Sequence, residues 1–127
     1  MKPIAMAFAA YSVKDLETSR KFYEEVMGFT PENIWVDEAT KTGYIEYGFG
    51  PNNEFTLTIG TEREGMNAGL GGACVSIEVE DFDAAVKALK GAGTTFTVEP
   101  FPTSGCHMAL FLDPSGNQLM VHKRNAN

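Results

Sequence analysis

Apolar positions along the chain change period several times, and the changes come in the same order twice. Residues 4–13 are rich in Ala and aromatic side chains and end at Lys14-Asp15, after which large apolar residues recur at Phe22, Tyr23, Val26 and Met27. That spacing lines one side of a helix, with Glu17, Arg20, Lys21, Glu24 and Glu25 mostly elsewhere. A strand running into a helix is predicted, with Asp15 as N-cap and Gly28 as the residue that ends it. Three strands are then predicted at 34–36, 43–49 and 55–59, separated by polar turns at 37–42 and 50–53.

Residues 60–72 hold five glycines with Glu62, Arg63 and Glu64 and show no sustained period. This is the predicted linker; a second reading makes it a lid, with Met66 and Leu70 closing over an apolar group. The grammar then repeats. Residues 73–79 alternate as a strand, Asp81 repeats the cap, Phe82, Ala85, Val86 and Leu89 form a helical stripe, and Gly91 and Gly93 close it. Strands are predicted at 96–98, 106–112 and 118–123, the last two joined by Asp113-Pro114-Ser115-Gly116-Asn117. Val13-Lys14-Asp15-Leu16-Glu17 aligns with Val79-Glu80-Asp81-Phe82-Asp83 at an offset of 66 residues. Two modules are implied, 1–60 and 73–127, each reading strand, helix, strand, strand, strand and each too small to bury its own sheet face. Coincidence is the competing explanation, since a strand followed by an Asp-capped helix is common.

Length and charge narrow the picture further. At 127 residues and 13.8 kDa the chain is read as one domain, 1–127. Ten basic against seventeen acidic residues give a net charge of −7, which argues against nucleic acid and acidic lipid as partners. Two cysteines, Cys74 and Cys106, are too few for a disulfide framework, so a reduced cytoplasmic protein is expected. The apolar opening is short, and neither a signal peptide nor a membrane anchor is expected.

Several of these segments together resemble the vicinal oxygen chelate superfamily, which includes glyoxalase I, extradiol dioxygenases, fosfomycin-resistance enzymes and bleomycin-resistance binding proteins. The likeness is carried by residues 13–17, Phe22-Tyr23 and Met27-Gly28-Phe29 in the first half, and by residues 77–85 and 113–117 in the second. The resemblance implies an α+β fold of two tandem βαβββ modules, forming a curved mixed sheet around a central cavity with helices on the outer faces.

In metal-dependent members the resemblance implies a divalent ion held by His or Glu from the first and last strand of each module. Counting from the motifs puts those positions at Phe8, at Thr56 with Thr58 as the alternative, at Cys74 and at Met120. None is His, Asp or Glu, and Phe and Met offer nothing to a hard or borderline ion. No metal and no other cofactor is expected.

Strand alternation then assigns faces. If Phe8, Cys74 and Met120 point into the cavity, so do Met6, Ala10, Ser12, Ser76, Glu78 and His122. The final hairpin brings Met108 and Leu110 opposite His122 and Met120, with Cys106 on the same face. Such a lining of Phe8, Trp35, Thr56, Cys74, Cys106, Met108, Met120 and His122 suits a flat or greasy organic ligand. Duller readings stand beside it. His122 is either a ligand-binding residue or a solvated one at the cavity mouth; Trp35 either stacks on a ligand or fills a core or subunit contact. His107 falls on the helix-facing side, Cys74 and Cys106 read as small buried hydrophobes rather than nucleophiles, and Glu46 is expected to face solvent.

The leading functional expectation is a metal-free, homodimeric protein, similar to bleomycin-resistance members, that binds a hydrophobic or aromatic compound. The alternative is a glyoxalase-like lyase or dioxygenase-like enzyme, using shifted ligands such as His107, His122 and Glu46, or His122 as general base. A third class is an interaction module with a solidly packed cavity.

Overall fold

The computed structural model describes residues 1–2 and 4–126. The first module runs β1 (Ala9–Val13), α1 (Leu16–Arg20), a π-helical continuation (Lys21–Val26), β2 (Pro31–Asp37), β3 (Thr42–Phe49) and β4 (Phe55–Thr61). The second runs β5 (Val75–Glu78), α2 (Phe82–Gly91), β6 (Phe96–Pro102), β7 (Cys106–Leu112) and β8 (Gln118–Arg124). Each module builds a four-stranded mixed sheet, in the orders β1-β4-β3-β2 and β5-β8-β7-β6. The expected α+β architecture of tandem βαβββ modules is therefore observed. In both sheets the first strand pairs in parallel with the last, across the helix and two hairpins.

The repeated cap is reproduced in atomic detail. Asp15 accepts from the Thr18 N–H at 2.9 Å and Asp81 from the Ala84 N–H at 3.0 Å, each in extended backbone geometry at the helix start. Gly28 closes the first helix with a φ of +73°, a conformation that a Cβ disfavours.

Two features depart from the sequence reading. The first strand begins at Ala9, so residues 4–8 stand outside the sheet with Met6 and Phe8 exposed. The first helix is also not uniformly α-helical: the Met27 N–H reaches back five residues to the Phe22 carbonyl. This wider turn lets the adjacent residues Phe22 and Tyr23 both point into the interior, where a regular stripe gives room for one.

The modules share one core. Val13, Leu16, Phe22, Tyr23, Ile45, Tyr47, Leu57 and Ile59 from the first half meet Leu89, Ala109, Phe111, Leu119 and Val121 from the second. Tyr23 packs near Tyr47 in one sheet while its neighbour Phe22 packs near Phe111 in the other, with ring centroids 6.0 and 6.2 Å apart. Burying these side chains stabilises each sheet only in the presence of the other.

Candidate functional site

Because Ile45, Tyr47, Leu57 and Ile59 are taken into the core, alternation turns their neighbours to the opposite face of sheet one. The register places Ala10 beside Thr58 beside Glu46, and Ser12 beside Gly60 beside Tyr44, with Trp35 opposite Tyr44. Glu46, expected to face solvent, lies on this face of the sheet and is partly shielded, because its neighbours Ile45 and Tyr47 occupy the core side.

A cleft of about 440 Å³ opens on this face, lined by Phe8, Trp35, Tyr44, Thr58, Gly60 and Met66 among others. Trp35 and Tyr44 are stacked, with centroids 6.1 Å apart and planes 23° from parallel. The pair is held by an unusually close approach of β2 to β3: a Cβ on Gly43 would lie 2.0 Å from the Trp35 carbonyl oxygen. Trp35 remains 53% exposed, so within one chain it does not fill the core.

A second cleft, of about 530 Å³, lies between the modules, with Met6, Phe8, Phe55 and Thr56 from the first and Ser76 and Glu78 from the second. Phe8 borders both clefts. The remaining polar chemistry belongs to sheet two. His122 sits in register between Glu78 on β5 and Met108 on β7, and Met120 sits between Ser76 and Leu110, as alternation anticipates. Glu78 pairs through Oε1 with His122 Nδ1 and accepts from the Arg124 N–H at 2.8 Å through Oε2. The Arg124 N–H, and then His122, hold the Glu78 carboxyl below the usual carboxylate range.

Cys106, Cys74 and His107 lie apart from the walls of the two clefts, the last on the helix-facing side as expected. Cys106 shares the Met108 face in register but is buried, because the turn before β7 folds over it and Thr103 Oγ1 lies 3.0 Å from its sulfur. Cys74 is half-buried just ahead of β5. His107 is turned away from the clefts, 3.1 Å from Asn125 Oδ1 and with its ring 5.8 Å from that of Phe82. Sequence reasoning also passed over Tyr44, Phe55 and the pairing of Glu78 with His122. Tyr44 was recoverable from its position two residues from Glu46 on one strand; the Glu78 pairing needed the parallel register of β5 with β8.

Tyr11 has a role that alternation alone does not reveal. Its hydroxyl accepts from the Val75 N–H and donates to the Gln118 carbonyl, both at 2.7 Å, so β1 is tied to the start of β5 and β8. Burial pushes this phenol's pKa upward.

The positions that the resemblance gives to metal ligands fall at Phe8 just before β1, Thr56 on β4, Cys74 just before β5 and Met120 on β8. They offer a benzyl ring, a hydroxyl, a thiol and a thioether, a set that does not fit a hard or borderline divalent ion. Among the described residues no three His, Cys, Asp or Glu side chains gather as a metal site.

The model of the Glyoxalase/Bleomycin resistance protein/Dioxygenase superfamily matches residues 5–121. The chain belongs to this superfamily. A probable lactoylglutathione lyase from Vibrio parahaemolyticus is 34% identical over 123 residues, covering 91% of this chain and 88% of that protein. Among solved structures, an antibiotic binding protein from Streptomyces sp. CB03234 is 21% identical with a TM-score of 0.77, covering 98% of this chain and 99% of its own. A glyoxalase I variant from Zea mays is 26% identical with a TM-score of 0.76; the match covers 95% of this chain and 46% of that one. Superfamily membership thus rests on the full βαβββ pair, and both a lyase and a binding protein stand among the similar chains. No helix among the described residues is long and apolar enough to cross a membrane.

Proposed function

We propose that this superfamily member is a metal-free small-molecule binding protein that takes a hydrophobic or aromatic compound on its cleft faces. The observation that carries the reading is the pair of clefts walled by Phe8, Trp35, Tyr44 and Phe55, with Phe, Thr, Cys and Met where the family's metal ligands belong. Aromatic walls supply stacking area, and Met66 and Met6, one in each cleft, supply adaptable, polarizable contacts. The similar antibiotic binding protein supports the fold's capacity for such a role.

A homodimer is part of the same proposal. Met6, Phe8 and Phe55 are exposed together at the cleft between the modules, and β1 and β5 are both sheet edges. A second copy seated there covers the apolar residues and closes the open side of each cleft. Saturable quenching of Trp35 fluorescence by a panel of aromatic compounds tests the binding reading, and sedimentation equilibrium tests the dimer. No saturable response to any compound overturns the first, and a monomer at all concentrations overturns the second.

The second reading, a lyase-like enzyme using His122 as general base, is favoured by the Glu78–His122 pairing and by the similarity to a probable lactoylglutathione lyase. Formation of lactoylglutathione that disappears in His122→Ala supports it, as does one tightly held divalent ion per chain by elemental analysis for its metal-dependent form.

A further inference from the structure

We propose that Glu78 and His122 form an oriented hydrogen-bond acceptor for a phenolic or enolic hydroxyl: Glu78 holds the proton on His122 Nδ1, and Nε2 accepts from the ligand. This rests on the small-molecule reading above and adds to it the class of ligand and the polar group that orients it.

The geometry fixes the direction of each hydrogen bond. Glu78 Oε2 is already occupied by the Arg124 N–H, and Oε1 meets His122 Nδ1. An ionised carboxylate only accepts, so Nδ1 is the donor, and a neutral imidazole with its proton on Nδ1 carries a bare lone pair on Nε2. That nitrogen makes no hydrogen bond to another described residue, and the His122 side chain is 19% exposed. Its surroundings on the sheet are Met108 directly across and Met120 two residues along, neither of which competes for it. The Glu78 side of the pair opens on the apolar cleft that Phe8 and Phe55 border.

One acceptor in a mostly apolar setting selects a ligand with an aromatic or apolar body and one O–H donor. An anionic ligand is disfavoured, because a lone pair on Nε2 and the Glu78 charge both oppose it. A methyl ether of the same ring system fills the same space but leaves Nε2 unpaired, and that difference is the signature of the site.

The experiment has two arms. In the free protein, two-bond proton–nitrogen spectra in mildly alkaline buffer, above the range where imidazole titrates, report the His122 tautomer. The Nδ1–H form is expected, with a shift toward Nε2–H in Glu78→Ala; an Nε2–H form in the unaltered protein overturns the proposal, whatever the variant does. In the second arm, naphthol and its methyl ether are titrated against the same protein. Naphthol is expected to bind about tenfold more tightly, with the gap lost in His122→Ala. Equal affinity of both compounds overturns the acceptor while leaving the binding reading intact. Binding of neither overturns the ligand half of this proposal, and the panel titration above decides the small-molecule reading separately.

Discussion

The Tyr23 hydroxyl donates a 2.7 Å hydrogen bond to Asp113 Oδ2, joining the first helix to the last hairpin across 90 residues of sequence. Tyr23 is fully buried, and burial followed by the Asp113 charge drives its phenol pKa far upward, so it stays a donor. Asp113 also accepts from the backbone N–H groups of Ser115 and Asn117 and from Asn117 Nδ2. Asn117 in turn donates to the Ser12 carbonyl and accepts from the Gly69 N–H, while Ser115 Oγ accepts from the Lys14 N–H. A turn that reads in sequence as a hairpin connector is thus the polar clasp between modules. Tyr23→Phe removes one bond and is expected to cost about 1–2 kcal/mol; Asp113→Ala strands several buried donors and is expected to cost about 3 kcal/mol or more. Urea unfolding of both variants measures the difference, and equal effects would place the clasp's weight elsewhere.

Glu78 titrates with a pKa below that of an unfolded-state glutamate. Its contribution to stability is therefore full above the unfolded pKa and is lost as pH falls through the folded one. Because the side chain is more than half exposed, the effect is expected to stay under about 1 kcal/mol. Glu78→Gln is expected to be less stable than the unaltered chain at neutral pH and to converge with it in acid, by thermal melts across the carboxylate range. A gap that widens on acidification would contradict the assignment.

Gly43 is fixed by space rather than by its backbone angles. A methyl there would lie 2.0 Å from the Trp35 carbonyl oxygen and 2.9 Å from the Val36 Cα. Gly43→Ala is expected to push β2 from β3 at a cost of about 1–3 kcal/mol. Loss of the Trp35–Tyr44 stack should follow, read as a shift in Trp35 emission.

The Trp35 side chain is exposed and makes no hydrogen bond among the described residues, so Trp35→Ala, which leaves the backbone ladder in place, is expected to change stability by less than about 1 kcal/mol. If the aromatic platform is the ligand's seat, the same change weakens binding by tenfold or more. Calorimetric titration with a compound first identified by Trp35 quenching separates the two effects.

The family positions for a metal offer no matching donors, so millimolar zinc, nickel or manganese is expected to leave Tm unchanged, as is a chelator. A ligand that binds only the folded state at a thousandfold excess over its Kd adds about 4 kcal/mol, so a real site would be plain in the melt.

Much of this architecture was legible because period and punctuation agree. Asp15 and Asp81 cap helices 66 residues apart, and the hairpin at 113–117 fixes the register that sets Met108 against His122. What stayed hidden depends on contacts between elements distant in sequence. Glu46 takes its face from how Ile45 and Tyr47 enter a core shared by both modules. Cys106 satisfies its face by alternation, yet a local turn covers it. The π-helical stretch follows from packing Phe22 and Tyr23 against two different sheets, which no single helix pattern encodes.

The parallel pairing of first with last strand has a consequence for how the chain is made. β1 has no partner until β4 has emerged from the ribosome, and Tyr23 meets no acceptor until Asp113 has. A nascent chain halted between the modules therefore carries a finished sheet with its inner face bare. Folding is expected to wait for nearly the full length, and release of the first half alone should yield aggregates rather than a smaller protein.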